Sequence, residues 1–315
     1  MASGTVLVVH ARCADGLTSA GLLLRRFPDA RVVYAQPAEL RNELEKVAGD
    51  PSVRRLVLAD LSPQSADLDP ILATLKGLRS QAEITWLDHH APQWTVAFEK
   101  AVRGIGAEVR LDRDGKESGA SLVASWTGEK DAALQRIAHL IRLRDAWIEP
   151  HNPDARAWTL VATELGEDYV RALSTNRLEG LEEKGRALLR EKEESIARSL
   201  AAVQRFTPEV AYLWGEDDVS DVADRLFRED ANVVFLLRFG PSARVSIRSR
   251  PERPMAATLG QRFGGGGHAN AAGFSFKMGW ARRLLLRARK SGDARVRHAL
   301  GVAREIAGSP PDRHA

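Results

Sequence analysis

The sequence has 315 residues, 44% hydrophobic and 28% charged, which is enough chain for two domains with ordinary cores. No run approaches ~18 consecutive apolar residues, so no membrane span is expected. A single cysteine excludes an intramolecular disulfide and suits a reducing, cytoplasmic setting. No basic leader precedes the first apolar run, so no signal peptide is expected.

The run 5–9 is short and β-branched, as in a strand buried on both faces. His10, Cys13, Asp15 and Gly16 follow it, and then an apolar helix over 18–26. A strand at 31–35, a helix at 37–47 and a strand at 55–60 come next, the last ending in Asp60. After a helix at 64–76, the strand 83–87 runs out into Asp88-His89-His90. Asp114-Gly115 is a turn, and Ser118 is placed to cap a helix over 118–127. His139, Leu140, Leu143 and Trp147 share a helical period, with Asp145 among apolar neighbours. This alternation predicts a parallel α/β sheet.

His151-Asn152-Pro153 breaks the pattern, and residues 177–204 read as a long polar connecting helix. Strands at 209–214, 232–238, 243–248 and 272–277, with a helix at 219–228, predict a smaller α/β domain. Four glycines, 264–267, stand before its last strand. Residues 281–300 carry seven basic side chains and one acid, a local net of +6 against +4 for the whole chain. They form either a docked helix with a solvated face or a phosphate-attracting segment. The expected division is 1–160, a helical connector 161–205, a second domain 206–280, and a basic helix and tail 281–315.

Any one of His10, Asp15, Asp60, His89 or Asp145 alone is most simply a cap or a solvated loop residue. Together, with three of their four segments at apolar strand ends, they form a hard-to-borderline ligand set suited to Mn²⁺, Mg²⁺ or Zn²⁺. In open α/β sheets that edge is where sites form. Cys13 has three readings: a small buried hydrophobe, a thiolate ligand, or the mark of a site holding only one tight ion. Glycines 264–267 let a backbone approach a phosphate or base closely, and successive N–H groups there can cradle an anion.

The ordered set resembles the DHH phosphoesterase superfamily. The matching features are a His…Asp-x-Asp-Gly turn after the first strand, a strand-end Asp, the Asp-His-His triplet and a later Asp. Val245-Ser246-Ile247-Arg248-Ser249 and Gly264 to Phe274 resemble two motifs of the DHH-associated domain of the first type. The resemblance spans roughly residues 5–276 and departs at Cys13, where the family usually has an aspartate. It implies a parallel-sheet catalytic domain, a helical linker and a smaller α/β substrate-binding domain, with a cleft between them.

By the same resemblance, His10 and Asp60 serve a first divalent ion, with Cys13 where an aspartate would bind. Asp15, Asp60, His89 and Asp145 serve a second, with Asp60 bridging. Mn²⁺ is the expected metal, with two ions, and Mg²⁺ or Zn²⁺ as alternatives. His90 is the expected proton donor or phosphate contact, and Asp88 the group that holds the imidazoles. Ser246, Arg248, Gly265, Gly266, Gly267, His268 and Asn270 are the expected substrate contacts. Arg262 is a weaker candidate, and helix capping is the simpler role for Ser118 to Ala120.

The implied activity is metal-dependent hydrolysis of short RNA or DNA oligonucleotides. The alternatives are a cyclic-dinucleotide phosphodiesterase, a 3′-phosphonucleotide phosphatase, or a nucleotide- or nucleic-acid-binding protein with a weakened metal site. A homodimer is compatible with the pattern.

Overall fold

Alternation along the strands of the first half sorts apolar side chains onto two faces of one sheet. Leu7 and Val9 fall in one buried cluster, while Val6 and Val8 fall in another. A sheet covered on both faces needs strands that are apolar throughout, which is why 5–9 and 55–59 show no polar alternation. The computed structural model describes residues 4–214, 219–239, 242–277, 297–298 and 300–304. It divides into two compact units, 1–190 and 191–315.

In the first unit five parallel strands lie in the order β2-β1-β3-β4-β5. They are β1 (Thr5–His10), β2 (Arg31–Ala35), β3 (Arg55–Ala59), β4 (Glu83–Asp88) and β5 (Glu108–Leu111). Helices α2 (Leu40–Ala48), α3 (Leu68–Arg79) and α4 (Val96–Gly104) pack on one face through Leu44, Leu75 and Phe98. The other face is covered by α1 (Ala14–Arg26), α5 (Gly119–Thr127), α6 (Ala132–Asp145), α7 (Pro153–Leu165) and α8 (Glu167–Ser174). Helix α9 (Leu181–Ala201) crosses the boundary between the units. It lies inside the stretch 177–204 that reads as a long polar helix.

The period joining His139, Leu140, Leu143 and Trp147 holds only in part. The buried stripe of α6 runs through Leu134, Ile137, Ala138, Leu140, Ile141 and Leu143. His139 faces solvent, and Trp147 lies beyond the helix end, 71% exposed. Strand β5 and helix α4 were not anticipated; both are short, and exposed charges interrupt their apolar pattern.

The second unit is a mixed sheet of order β10-β11-β9-β8-β7-β6. Its elements are β6 (Gln204–Thr207), β7 (Val210–Trp214), α10 (Val219–Glu229), β8 (Val233–Phe239), β9 (Ser242–Ser249), α11 (Ala256–Arg262), β10 (Gly266–His268) and β11 (Ala271–Lys277). Only β7 and β8 pair in parallel; the other pairs are antiparallel. The expected helix over 281–300 lies largely outside the described residues, but Leu300, Val302 and Ala303 are buried in this unit's core.

The glycine run is itself part of the sheet. Gly266 to His268 pair with Ala271 to Gly273 as a hairpin. A Cβ on Gly265 would lie 2.0 Å from the carbonyl oxygen of Gly273, and Gly267 has φ +143. At these two positions glycine is demanded by the chain's own packing. Gly266, by contrast, has no atom within 4 Å of a Cβ position. Gly265→Ala should therefore cost roughly 1–3 kcal/mol of stability through overpacking, while Gly266→Ala should be close to neutral. Urea-unfolding midpoints of the full chain would check the contrast, and equal midpoints would refute it.

Candidate metal centre

The chain passes from β1 to β2 on one side and returns to β3 on the other, so the strand order reverses beside β1. Crevices form at the C-terminal edge of such a reversal. His10 is the last residue of β1, Asp60 directly follows β3, and Asp88 ends β4. Asp15 lies in the first turn of α1, and Asp145 ends α6. Three groups of ligand atoms converge there: His10 with Cys13 and Asp60; Asp60 with His89 and His90; and Asp15 with His89 and Asp145. Within each group all atoms lie within 4.8 Å of one another.

Asp60 is common to two groups and turns one oxygen toward each. Its Oδ2 lies 3.5 Å from His10 Nδ1, and its Oδ1 lies 3.2 Å from His89 Nε2. His89 Nε2 is also 3.2 Å from Asp145 Oδ2 and 3.9 Å from Asp15 Oδ2. Asp88 stands behind this cluster. Its Oδ1 accepts from His90 Nδ1 at 2.8 Å and from the His89 backbone N–H at 3.0 Å. Its Oδ2 accepts from Trp94 Nε1 at 2.7 Å. Asp88 thus orients one imidazole, that of His90, rather than both.

Asp15 is fully buried, and both its oxygens accept backbone N–H groups at the start of α5: Gly119 at 2.6 Å and Ala120 at 2.9 Å. Ser118 caps the same helix in a reciprocal box with Ser121, so Ser118 to Ala120 do serve as a helix start. A Cβ on Gly119 would sit 2.6 Å from Asp60 Cβ and 2.8 Å from Asp15 Oδ2, so only glycine lets α5 come this close. No local sequence signal marks this contact, because its partners are 104 and 105 residues apart. Trp94, six residues after Asp88, was missed for a similar reason: nothing in the sequence turns its indole back.

The electrostatics are those of carboxylates crowded together. Burial and the charges of Asp60 and Asp145 push Asp15 well above the usual carboxylate range. Burial and Asp60 raise Asp145 as well. Burial also works against ionised Asp60, but His10 and His89 outweigh it and hold it at about 2. Burial disfavours charged His89, yet Asp60, Asp15 and Asp145 push it up to about 10. His10 is raised chiefly by Asp60. Burial first, and then the same three carboxylates, push the Cys13 thiol far up, so it ionises only beside a cation.

His10 Nδ1 and Asp60 Oδ2 are both buried without a hydrogen-bond partner. Orphaned ligand atoms that face one another among excess carboxylates fit a divalent cation. Strain concentrates at the same place. Four non-glycine residues among those described have left-handed backbones: Arg12, Asp60, Trp147 and Asn176. The first three are at, or two positions from, His10, Asp60 and Asp145.

The remaining candidates belong to the second unit. Ser246 and Arg248 share one face of β9, and Arg248 Nε donates to Ser220 Oγ at 3.1 Å. Arg262 is exposed at the end of α11. The Oδ1 of Asn270 is buried without a partner. The side chain of His268 lies outside the described residues.

No family model matches the chain, and no curated protein matches it. Solved structures do. A pGpG-specific phosphodiesterase, PggH, from Vibrio cholerae is similar over 90% of this chain and 97% of its own, with TM-score 0.56 and 14% identity. An exopolyphosphatase-related protein from Bacteroides fragilis is similar over 97% and 94%, with TM-score 0.49 and 12% identity. The first likeness establishes a shared fold.

Proton linkage gives a test that does not depend on activity. His89, raised to about 10, stabilises the metal-free fold fully below its ordinary value of ~6.5 and loses that contribution as pH rises through 10. Asp60, lowered to about 2, contributes above ~3.9 and loses that contribution only as pH falls through 2. Raised Asp15 and Asp145 act oppositely, weakening the fold once ionised. A divalent cation held there would replace the His89 proton, so its affinity should rise with pH. The gap in Tm between Mg²⁺-loaded and EDTA-treated protein should widen from pH 7 to 9.5. A flat or narrowing gap would refute the assignment.

Proposed function

We propose that this chain is a metal-dependent phosphodiesterase of the DHH type that hydrolyses short oligonucleotides. The observation that carries the reading is the convergence of His10, Cys13, Asp15, Asp60, His89, His90 and Asp145 into three overlapping ligand groups, two of which share Asp60 and two His89. The fold shared with the pGpG-specific phosphodiesterase supports a short linear dinucleotide as substrate.

His10 and Asp60, with Cys13 beside them, would hold one divalent ion; Asp15, Asp60, His89 and Asp145 would hold a second. Bound there, the ions supply Lewis-acid stabilisation of charge on the phosphoryl oxygens and make water a competent nucleophile at neutral pH. The protein's share is to fix and desolvate that chemistry. Backbone N–H groups at the start of α5 hold Asp15. Trp94 and two backbone N–H groups hold Asp88, which fixes the proton of His90 on Nδ1 and leaves Nε2 unprotonated in the neutral ring. His90 is about one third exposed, so its Nε2 can meet a phosphate oxygen or protonate the leaving oxygen. In the second unit, Ser246, Arg248, Gly265, Gly266, Gly267, His268 and Asn270 are the residues proposed to contact substrate, the guanidinium through paired bonds to a phosphate.

Turnover of di- to 24-nucleotide RNA and DNA, cyclic dinucleotides and 3′-phosphoadenosine 5′-phosphate would test the reading. EDTA should abolish activity and Mn²⁺ restore it. Asp60→Ala should lose more than the roughly 10²–10³ in kcat typical of removing one charge-stabilising group, because this carboxylate would serve both ions. Cys13→Asp should shift preference toward Mn²⁺ or Mg²⁺, and Cys13→Ala should lower metal stoichiometry if the sulfur is a ligand. Arg248→Ala should raise KM without changing metal content. Undiminished turnover in EDTA, or a folded Asp60→Ala enzyme at full rate, would overturn the assignment.

A further inference from the structure

Helix α6 delivers Asp145 to the metal centre and stops there; two residues later comes Trp147, the most exposed aromatic side chain among the described residues at 71%. Exposed apolar residues such as Trp147 and its neighbour Ile148 need no explanation by themselves, but Trp147 is held in a conformation that disfavours it. Its φ is +54, the left-handed region that a bulky side chain rarely occupies and that glycine or asparagine would fill without strain. The loop around it is ordered by its own backbone. Ala146 N–H donates to Arg142 O at 3.0 Å, Glu149 N–H to Leu143 O at 2.9 Å, and Asn152 N–H to Glu149 O at 3.0 Å. The Arg144 guanidinium bonds Pro150 O and lies 5.9 Å from the centre of the indole. A cation at that distance is weakly attracted to the ring. The sequence thus tolerates a strained backbone at a solvent-facing indole. Two peptide units set its Cα no more than about 7.6 Å from that of Asp145.

We propose that Trp147 is a stacking platform for a nucleobase of the substrate held at the metal centre. The proposal rests on the phosphodiesterase reading above and narrows it: the substrate carries a base beside the scissile phosphate, which excludes inorganic polyphosphate and base-free diesters. Stacking uses the π-face that every base has, so the platform requires a base without choosing strongly among the four.

The test uses the full-length protein with Mn²⁺ and two substrates, a linear diribonucleotide and its analogue with an abasic ribose in place of either nucleoside. Trp147→Ala should raise KM for the intact dinucleotide about 5- to 150-fold, the equivalent of roughly 1–3 kcal/mol. Its kcat should change much less. Trp147→Phe, which keeps an aromatic face, should stay within a few-fold of wild type. KM for the abasic analogue that lacks the stacked base should be high in wild type already and indifferent to Trp147→Ala. Trp147→Gly relieves the backbone and should match or exceed the wild-type Tm while showing the KM defect of Trp147→Ala, a pairing that a purely structural tryptophan would not give.

An unchanged KM in Trp147→Ala, or an equal penalty on intact and abasic substrates, overturns the platform and leaves the phosphodiesterase reading standing. Failure of the wild type to hydrolyse either substrate overturns both.

Discussion

The site depends on one carboxylate shared between two imidazoles. Asp60 leaves β3 with a left-handed backbone, places one oxygen toward His10 and the other toward His89, and is almost wholly buried. Aspartate is among the few residues other than glycine that visit this conformation routinely. The turn therefore accepts the residue the chemistry needs. Burial and ionised Asp60 together drive the carboxylates beside it toward protonation, and the three carboxylates drive His89 toward the imidazolium. Positive charge would relieve this mutual frustration, and the cluster fits a divalent cation.

A second constraint ties the two faces of the first unit to that centre. Asp15, at the start of α1, ends on the exposed amides of α5, where the positive end of a helix dipole also favours a carboxylate. The approach is possible only because Gly119 has no side chain, since any Cβ would collide with Asp60 or Asp15. Helix α5 thus serves the site through its backbone. Trp94 has the matching role behind β4. Its indole lies edge-on to buried Trp86, 4.6 Å between ring centres, and donates to Asp88, so the orientation of His90 is anchored in the core of the opposite face.

The second unit shows how one motif can have two causes. Gly265 and Gly267 are required where β10 and β11 run against each other, whatever binds there. Gly266 has open space in front of it and remains free for a ligand. In this hairpin the glycine pattern owes as much to packing as to recognition.

Much of the first unit was legible in the sequence because it is encoded locally. Strands buried on both faces are apolar throughout, so β1 to β4 and their exits into His10, Asp60 and Asp88 could be read within a residue or so. Ser118 announced its helix through its own capping chemistry. Elements with weak or interrupted patterns, such as β5, β6, β10, α4 and α11, could not be read, because neighbours rather than propensity hold them. Periodicity also misled where it continued past a helix end: it enrolled Trp147 in a buried stripe, but the chain turns left-handed there and exposes the ring. The sequence alone determined which ligand types stand at which strand ends. Only the tertiary structure decided that Asp60 faces two partners, that Asp15 rests on a helix start more than a hundred residues away, and that Asp88 leans on Trp94. Those contacts depend on side-chain direction and on the absence of a Cβ at Gly119, and neither leaves a periodic trace along the chain.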